Sequence, residues 1–209
     1  MAMVHPGATL TPHFLDFLPA WLARQPWYIT SGTLSLSPVG YFRFEDPAGA
    51  VGVETHLLTD GAVVYQIPMT YRDAPIDGTP GGRPGADRLI AIAEHSVLGT
   101  RWIYDAVDDP VWVNEMLRLV RTEGVSGPSG RRGVAPAQAR GHRLTTRDVP
   151  AGADIELIRV IVAGAQPEGA GVIGVVLGSW SPGGAGVLSV DGCLAVLRDR
   201  HVPYGLDLA

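Results

Sequence analysis

The hydrophobic pattern of the chain changes period from one segment to the next. In PHFLDFLPAWLAR, residues 12–24, the apolar side chains Phe14, Leu15, Phe17, Leu18, Trp21 and Leu22 recur at spacings of three and four. That spacing lays them on one face of a helix. Pro12 suits its first turn, Pro19 is expected to kink or split it, and Pro26 ends it. From Tyr28 the period drops to two. Strands are expected near 33–37, 40–46, 50–58, 62–71, 88–97 and 101–106, with turn signals at Asp46-Pro47 and Asp60-Gly61. Connections this short favour antiparallel neighbours, since parallel pairing needs long crossovers. Residues 74–87, APIDGTPGGRPGAD, read as a long exposed loop.

A second helix is predicted over 108–123, DDPVWVNEMLRLVRTE. Asp109 is placed to cap it, Pro110 to open it, Val113, Met116, Leu117 and Val120 to face the core, and Gly124 to stop it. Residues 124–141 are rich in Gly, Pro and Ala and read as a linker. Strand-like runs resume at 142–149, 154–163, 171–180 and 185–198. IELIRVIVAG and GVIGVVLGSW are more continuously apolar than the earlier strands, which suggests a sheet covered on both faces. The expected class is α+β: a mainly antiparallel meander with an N-terminal and a mid-chain helix, and a second antiparallel sheet at the C-terminus. The expected divisions are residues 1–125, a flexible linker over 126–141, and a sheet over 142–209 packed on the first.

With 209 residues the chain can bury a core without staples. Hydrophobic residues make up 46% and charged residues 18%, which argues against global disorder. A net charge of −5 supplies no bulk field toward nucleic acid or an anionic membrane. The cluster Arg131, Arg132, Arg140, Arg143 and Arg147 lies in linker-like sequence and reads as solvated. No run nears the roughly 18 apolar residues a spanning helix needs. MAMVHPGATLTPHF lacks a basic segment followed by an apolar stretch, so the expected location is the cytoplasm.

All sixteen basic residues are Arg. Without Lys, neither a P-loop lysine nor a Schiff base is available. The single Cys193 lies in an apolar run and reads as a buried small hydrophobe. His5, His13, His56, His95, His142 and His201 show no metal-ligand spacing, so neither metal nor cofactor is expected. No nucleophile elbow is present; Ser96 follows His95 directly and would point to the opposite face of a strand. The most distinctive block is YQIPMTYR followed by RWIYDA. Alternation sets Tyr65, Ile67, Met69 and Tyr71 against Gln66, Pro68, Thr70 and Arg72, and Arg101, Ile103 and Asp105 against Trp102 and Tyr104. Such aromatic and arginine side chains serve either a core or a recognition surface.

Tyr65 to Arg72, His95, Leu98-Gly99, Trp102 to Ala106 and Asp109-Pro110 resemble the N-terminal cap domain of actinobacterial maltokinases, over about residues 10–125. The resemblance implies a small antiparallel sheet with helices, here standing alone as a cap without kinase lobes. The sequence after residue 125 has no catalytic-loop Asp–Asn arrangement and no D-F-G equivalent, so kinase activity is not carried over. The implied role is a non-catalytic binding or regulatory protein of α-glucan, maltose or trehalose metabolism. Its partner would be a saccharide or a carbohydrate enzyme, bound by a face that presents Tyr71, Arg72, Arg101, Trp102 and Tyr104, with His95 and Asp105 nearby. Two alternatives are a small carbohydrate-active enzyme using Asp105, His95 or Glu94 as acid and base, and a structural module that pairs as a homodimer.

Overall fold

In the computed structural model, residue 5 and residues 7–29, 35–76, 88–127, 137–161, 171–180 and 189–200 are described. The elements run β1 (Leu10–Thr11), α1 (Phe14–Leu22), β2 (Ser37–Phe44), β3 (Gly52–Thr59), β4 (Val64–Arg72), β5 (Leu89–His95), β6 (Gly99–Asp105), α2 (Pro110–Thr122), β7 (Ala137–Arg143), β8 (Asp154–Leu157), β9 (Val160–Ile161), β10 (Val172–Trp180) and β11 (Ser189–Arg198). The α+β class and the two antiparallel sheets are as the sequence predicts.

The first sheet has the order β1-β5-β6-β4-β3-β2, and its strands pair antiparallel. Two steps leave sequential order, one of them the pairing of β1 with β5. The β5–β6 hairpin folds back so that β6, not β5, lies beside β4. β9 pairs with the same edge of β4 at its other end, with Val64 opposite Ile161. The second sheet has the order β7-β10-β11-β8.

α1 packs on one face of the first sheet. Its Phe14, Leu18, Trp21 and Leu22 meet Leu58, Tyr65, Ile67, Met69 and Ile103. His13 caps it: its ring accepts from the Leu15 amide while the Asp16 carboxylate accepts from the His13 amide. Pro19 lies inside α1 without splitting it. One backbone donor is lost there, and the apolar residues buried on both sides of the proline hold the helix to the sheet.

The opposite face receives α2 and the second sheet. Phe42, Phe44, Val53 and Leu57 share one core with Trp112, Met116, Leu119 and Val120 of α2 and with Ala139, Val176, Leu194 and Leu197. Gln66 joins the layers: its side-chain amide donates to the carbonyls of Ile158 and Leu194, both at 2.9 Å. The far side of the second sheet carries the smaller cluster of Val175, Cys193 and Val196.

Asp109 caps α2 through the Val111 amide and Pro110 opens it, as expected. At the other end Glu123 takes the left-handed conformation (φ 50°), and the Gly124 amide returns to the Leu119 carbonyl at 2.9 Å. The expected linker over 126–141 needs correction, as does the strand expected over 142–149. A strand begins at Ala137, and Val125 and Gly127 bridge to Arg140 and Arg43. The alanines and glycine of that strand serve packing. A Cβ on Gly141 would stand 2.1 Å from the Leu119 carbonyl carbon and oxygen, and one on Gly174 would stand 2.3 Å from Val120 Cγ1. The helix backbone therefore rests directly on the sheet. The expected strand 33–37 lies partly outside the described residues, as do most of the 74–87 loop, Arg131, Arg132 and His201.

Gly141→Ala is expected to cost about 3 kcal/mol, because backbone must move to admit the methyl group. Gly152→Ala, whose Cβ meets only Arg200 Nη1 at 3.8 Å, should stay within about 0.5 kcal/mol of wild type. Urea unfolding of the two variants measures the contrast.

Candidate functional site

Register places the residues of the distinctive block on two faces. Arg72 lies opposite Trp102, Tyr71 opposite Ile103, Thr70 opposite Tyr104 and Met69 opposite Asp105. Ile92 lies on the far side of Trp102. Tyr71 packs beside the α1 cluster that contains Ile103. Alternation sends Arg101 and Asp105 to that same side and Arg72, Trp102 and Tyr104 to the other. Hence the face expected to present Tyr71, Arg72, Arg101, Trp102 and Tyr104 together does not form. A smaller one does: Ile92 is 49% exposed, and Arg72 and Trp102 are half-buried beside it. Tyr104 is buried and fixed, its hydroxyl accepting from the Ile76 amide at 3.0 Å.

Below this face lies a network of buried charge. Asp105 ends β6 and Asp109 caps α2, and both are at most 3% exposed. A buried carboxylate left unpaired would cost several kcal/mol. Here three arginines meet the two carboxylates. Arg159 Nη2 donates to both Asp105 oxygens at 2.6 and 2.8 Å. Arg72 donates to Asp109 Oδ2 through Nη2 at 2.6 Å and Nε at 3.3 Å. Arg88, itself 2% exposed, donates to the Asp105 backbone carbonyl and stands 3.8 Å from Asp109 Oδ2. The Arg159 guanidinium also stacks 5.1 Å from the Trp27 ring. The predicted residues include Arg72 and Asp105, but sequence reasoning missed Arg88 and Arg159. For Arg159 the signal was an arginine inside the apolar run IELIRVIV.

The acid and base of the enzyme alternative are not brought together. His95 pairs with Gly99 at the hairpin tip, while Asp105 ends the same strand six residues on. At ~3.3 Å per residue the two are roughly 20 Å apart. The His95 Nδ1 accepts from the Val97 and Leu98 amides and so serves its turn. Glu94 is hydrogen-bonded to the Thr100 hydroxyl. Among the described residues, no group of three or more His, Cys, Asp or Glu is placed to hold a metal ion.

Asp46 shows what buried turn chemistry does to a carboxylate. Burial works to raise its pKa, but the Ala48, Val51 and Ala50 amides and the charge of Arg72 hold it below its ordinary value. A lowered folded-state pKa stabilises the fold above the unfolded value near 3.8, and that contribution is lost as pH falls through the folded value. Asp46→Asn is therefore expected to cost about 2 kcal/mol near neutral pH. The gap from wild type should close in acid, as urea titrations at the two pH values would read. Cys193 behaves oppositely: burial pushes its thiol up to about 11, and Sγ donates to the Ala195 carbonyl. Cys193 should resist a thiol reagent in the native protein at neutral pH and react fully once urea unfolds it, as a colorimetric thiol assay would show.

No curated protein and no solved structure matches the chain. No described helix is long and apolar enough to cross a membrane. Residues 21–109, which contain β2 to β6 and end on the α2 cap, match the family described as the maltokinase N-terminal cap domain, and this segment of the chain is cap-like.

Proposed function

We propose that the protein is a non-catalytic binding or regulatory module of maltose- and trehalose-related metabolism, acting through the face built by Arg72, Trp102 and Ile92. The cap-like match supports the metabolic link. The observation that carries the recognition role is the division of labour around β6. Its carboxylate Asp105 is buried against Arg159, and Asp109 against Arg72, while Trp102 and Ile92 keep surface open on the neighbouring face. Groups fixed in this way support a surface rather than exchange protons with a substrate. A half-open indole flanked by a guanidinium and an aliphatic side chain suits the apolar face and hydroxyl rim of a saccharide, or the hot spot of a protein partner. The binding residues proposed are Arg72 and Trp102, with Tyr104 beneath them as support.

Isothermal titration with maltose, trehalose, maltodextrins and glycogen, paired with a pull-down of carbohydrate enzymes, tests this reading. Trp102→Ala is expected to weaken whichever interaction is found by about tenfold or more, with little change in thermal stability. Silence with every saccharide and every enzyme would sink it.

A further inference from the structure

Arg72 belongs to two structures at once. It stands beside Trp102 on the open face, and its guanidinium reaches Asp109 Oδ2 at 2.6 Å. Asp109 is 1% exposed and its other oxygen accepts the Val111 amide at 3.0 Å, so the carboxylate that holds Arg72 also starts α2. The Asp109 backbone carbonyl accepts from Val113 at 2.9 Å, closing the first turn. Arg88, immediately before β5, approaches the same Oδ2 and ties down the Asp105 carbonyl. At its other end α2 lies against Gly141 and Gly174 with no room to shift toward the second sheet. The head of the helix is therefore held by charge from the open face in addition to the buried Trp112, while its tail is seated on the glycines of the second sheet.

We propose that Asp109 couples the Trp102 face to the head of α2. Anything that engages Arg72 from solvent draws it from the carboxylate that caps the helix, so occupancy of the face and order in the first turn of α2 depend on each other. This inference rests on the proposed role of the face and deepens it into a regulatory contact. Arg88, at 3.8 Å, stays behind as a weaker partner and keeps Asp109 from being stranded as an uncompensated buried charge.

Hydrogen exchange of the full chain, read by mass spectrometry without any ligand, tests the coupling separately from saccharide or partner binding. Arg72→Gln leaves every atom of the cap in place. It is expected to speed exchange of the first amides bonded within α2, residues 113–116, by about threefold or more, while β10 and β11 stay as protected as in wild type. Arg72→Lys, which keeps the charge, should restore much of the protection. Unchanged exchange at 113–116 in Arg72→Gln would overturn the inference. So would a rise of the same size across β10 and β11, which would mark general destabilisation.

Discussion

Two carboxylates four residues apart, Asp105 and Asp109, are both buried, and the surrounding chain is arranged so that neither is left without a cation. Charge at that depth is tolerated only where partners and geometry repay the lost solvation. Arg159 comes from the segment entering β9, Arg72 from the end of β4 and Arg88 from the residue before β5. The ion pairs thus fix where β6 ends, where α2 begins and where β9 meets the edge of β4. β6 and β9 lie in tandem along one edge of β4, and the Arg159–Asp105 pair spans their junction.

The second constraint is steric. α2 is buried on two sides, against Phe42 and Val53 of the first sheet and against Ala139 and Val176 of the second. Its sequence carries more apolar residues than a single stripe requires, and Trp112 and Leu119 lie outside the four positions that periodicity picks out. Seating a helix that closely on a sheet requires residues without side chains beneath it, and Gly141 and Gly174 supply the space. Each fully buried apolar side chain here contributes about 1.5–3 kcal/mol, so the helix is a main link between the two sheets.

That steric role explains where the sequence misled. The run AQARG looks like part of a linker because Ala and Gly are what flexible segments are made of, yet here they form β7 and lie under α2. Composition reports the size of side chains and cannot say whether smallness serves freedom or contact. Local signals fared better. The Asp109-Pro110 start of α2, the alternation of β4 and the Asp60-Gly61 turn all depend on residues close in sequence. The Asp60 carboxylate accepts the Ala62 and Val63 amides in that turn. The position of β6 beside β4, the Gln66 bridge to Leu194 and the Arg159–Asp105 pair join residues 30 to 128 positions apart. A single sequence gives no warning of such contacts beyond a polar residue set in an apolar run.

The same distinction bears on the Tyr–Arg–Trp–Asp block. Read as residue types, it resembles an active site; read as a strand pair, it is two surfaces with different tasks. The inner one spends Asp105 and Tyr71 on structure, with the Asp105 carboxylate committed to Arg159. The outer one keeps Trp102 and Ile92 partly open and holds Arg72 by a contact that water can still reach, its side chain 26% exposed. A group bonded at one end and solvated at the other can exchange partners at modest cost, whereas Arg88, at 2% exposure, cannot. Burial therefore separates the arginine that can take part in recognition from the two that build the ground beneath it.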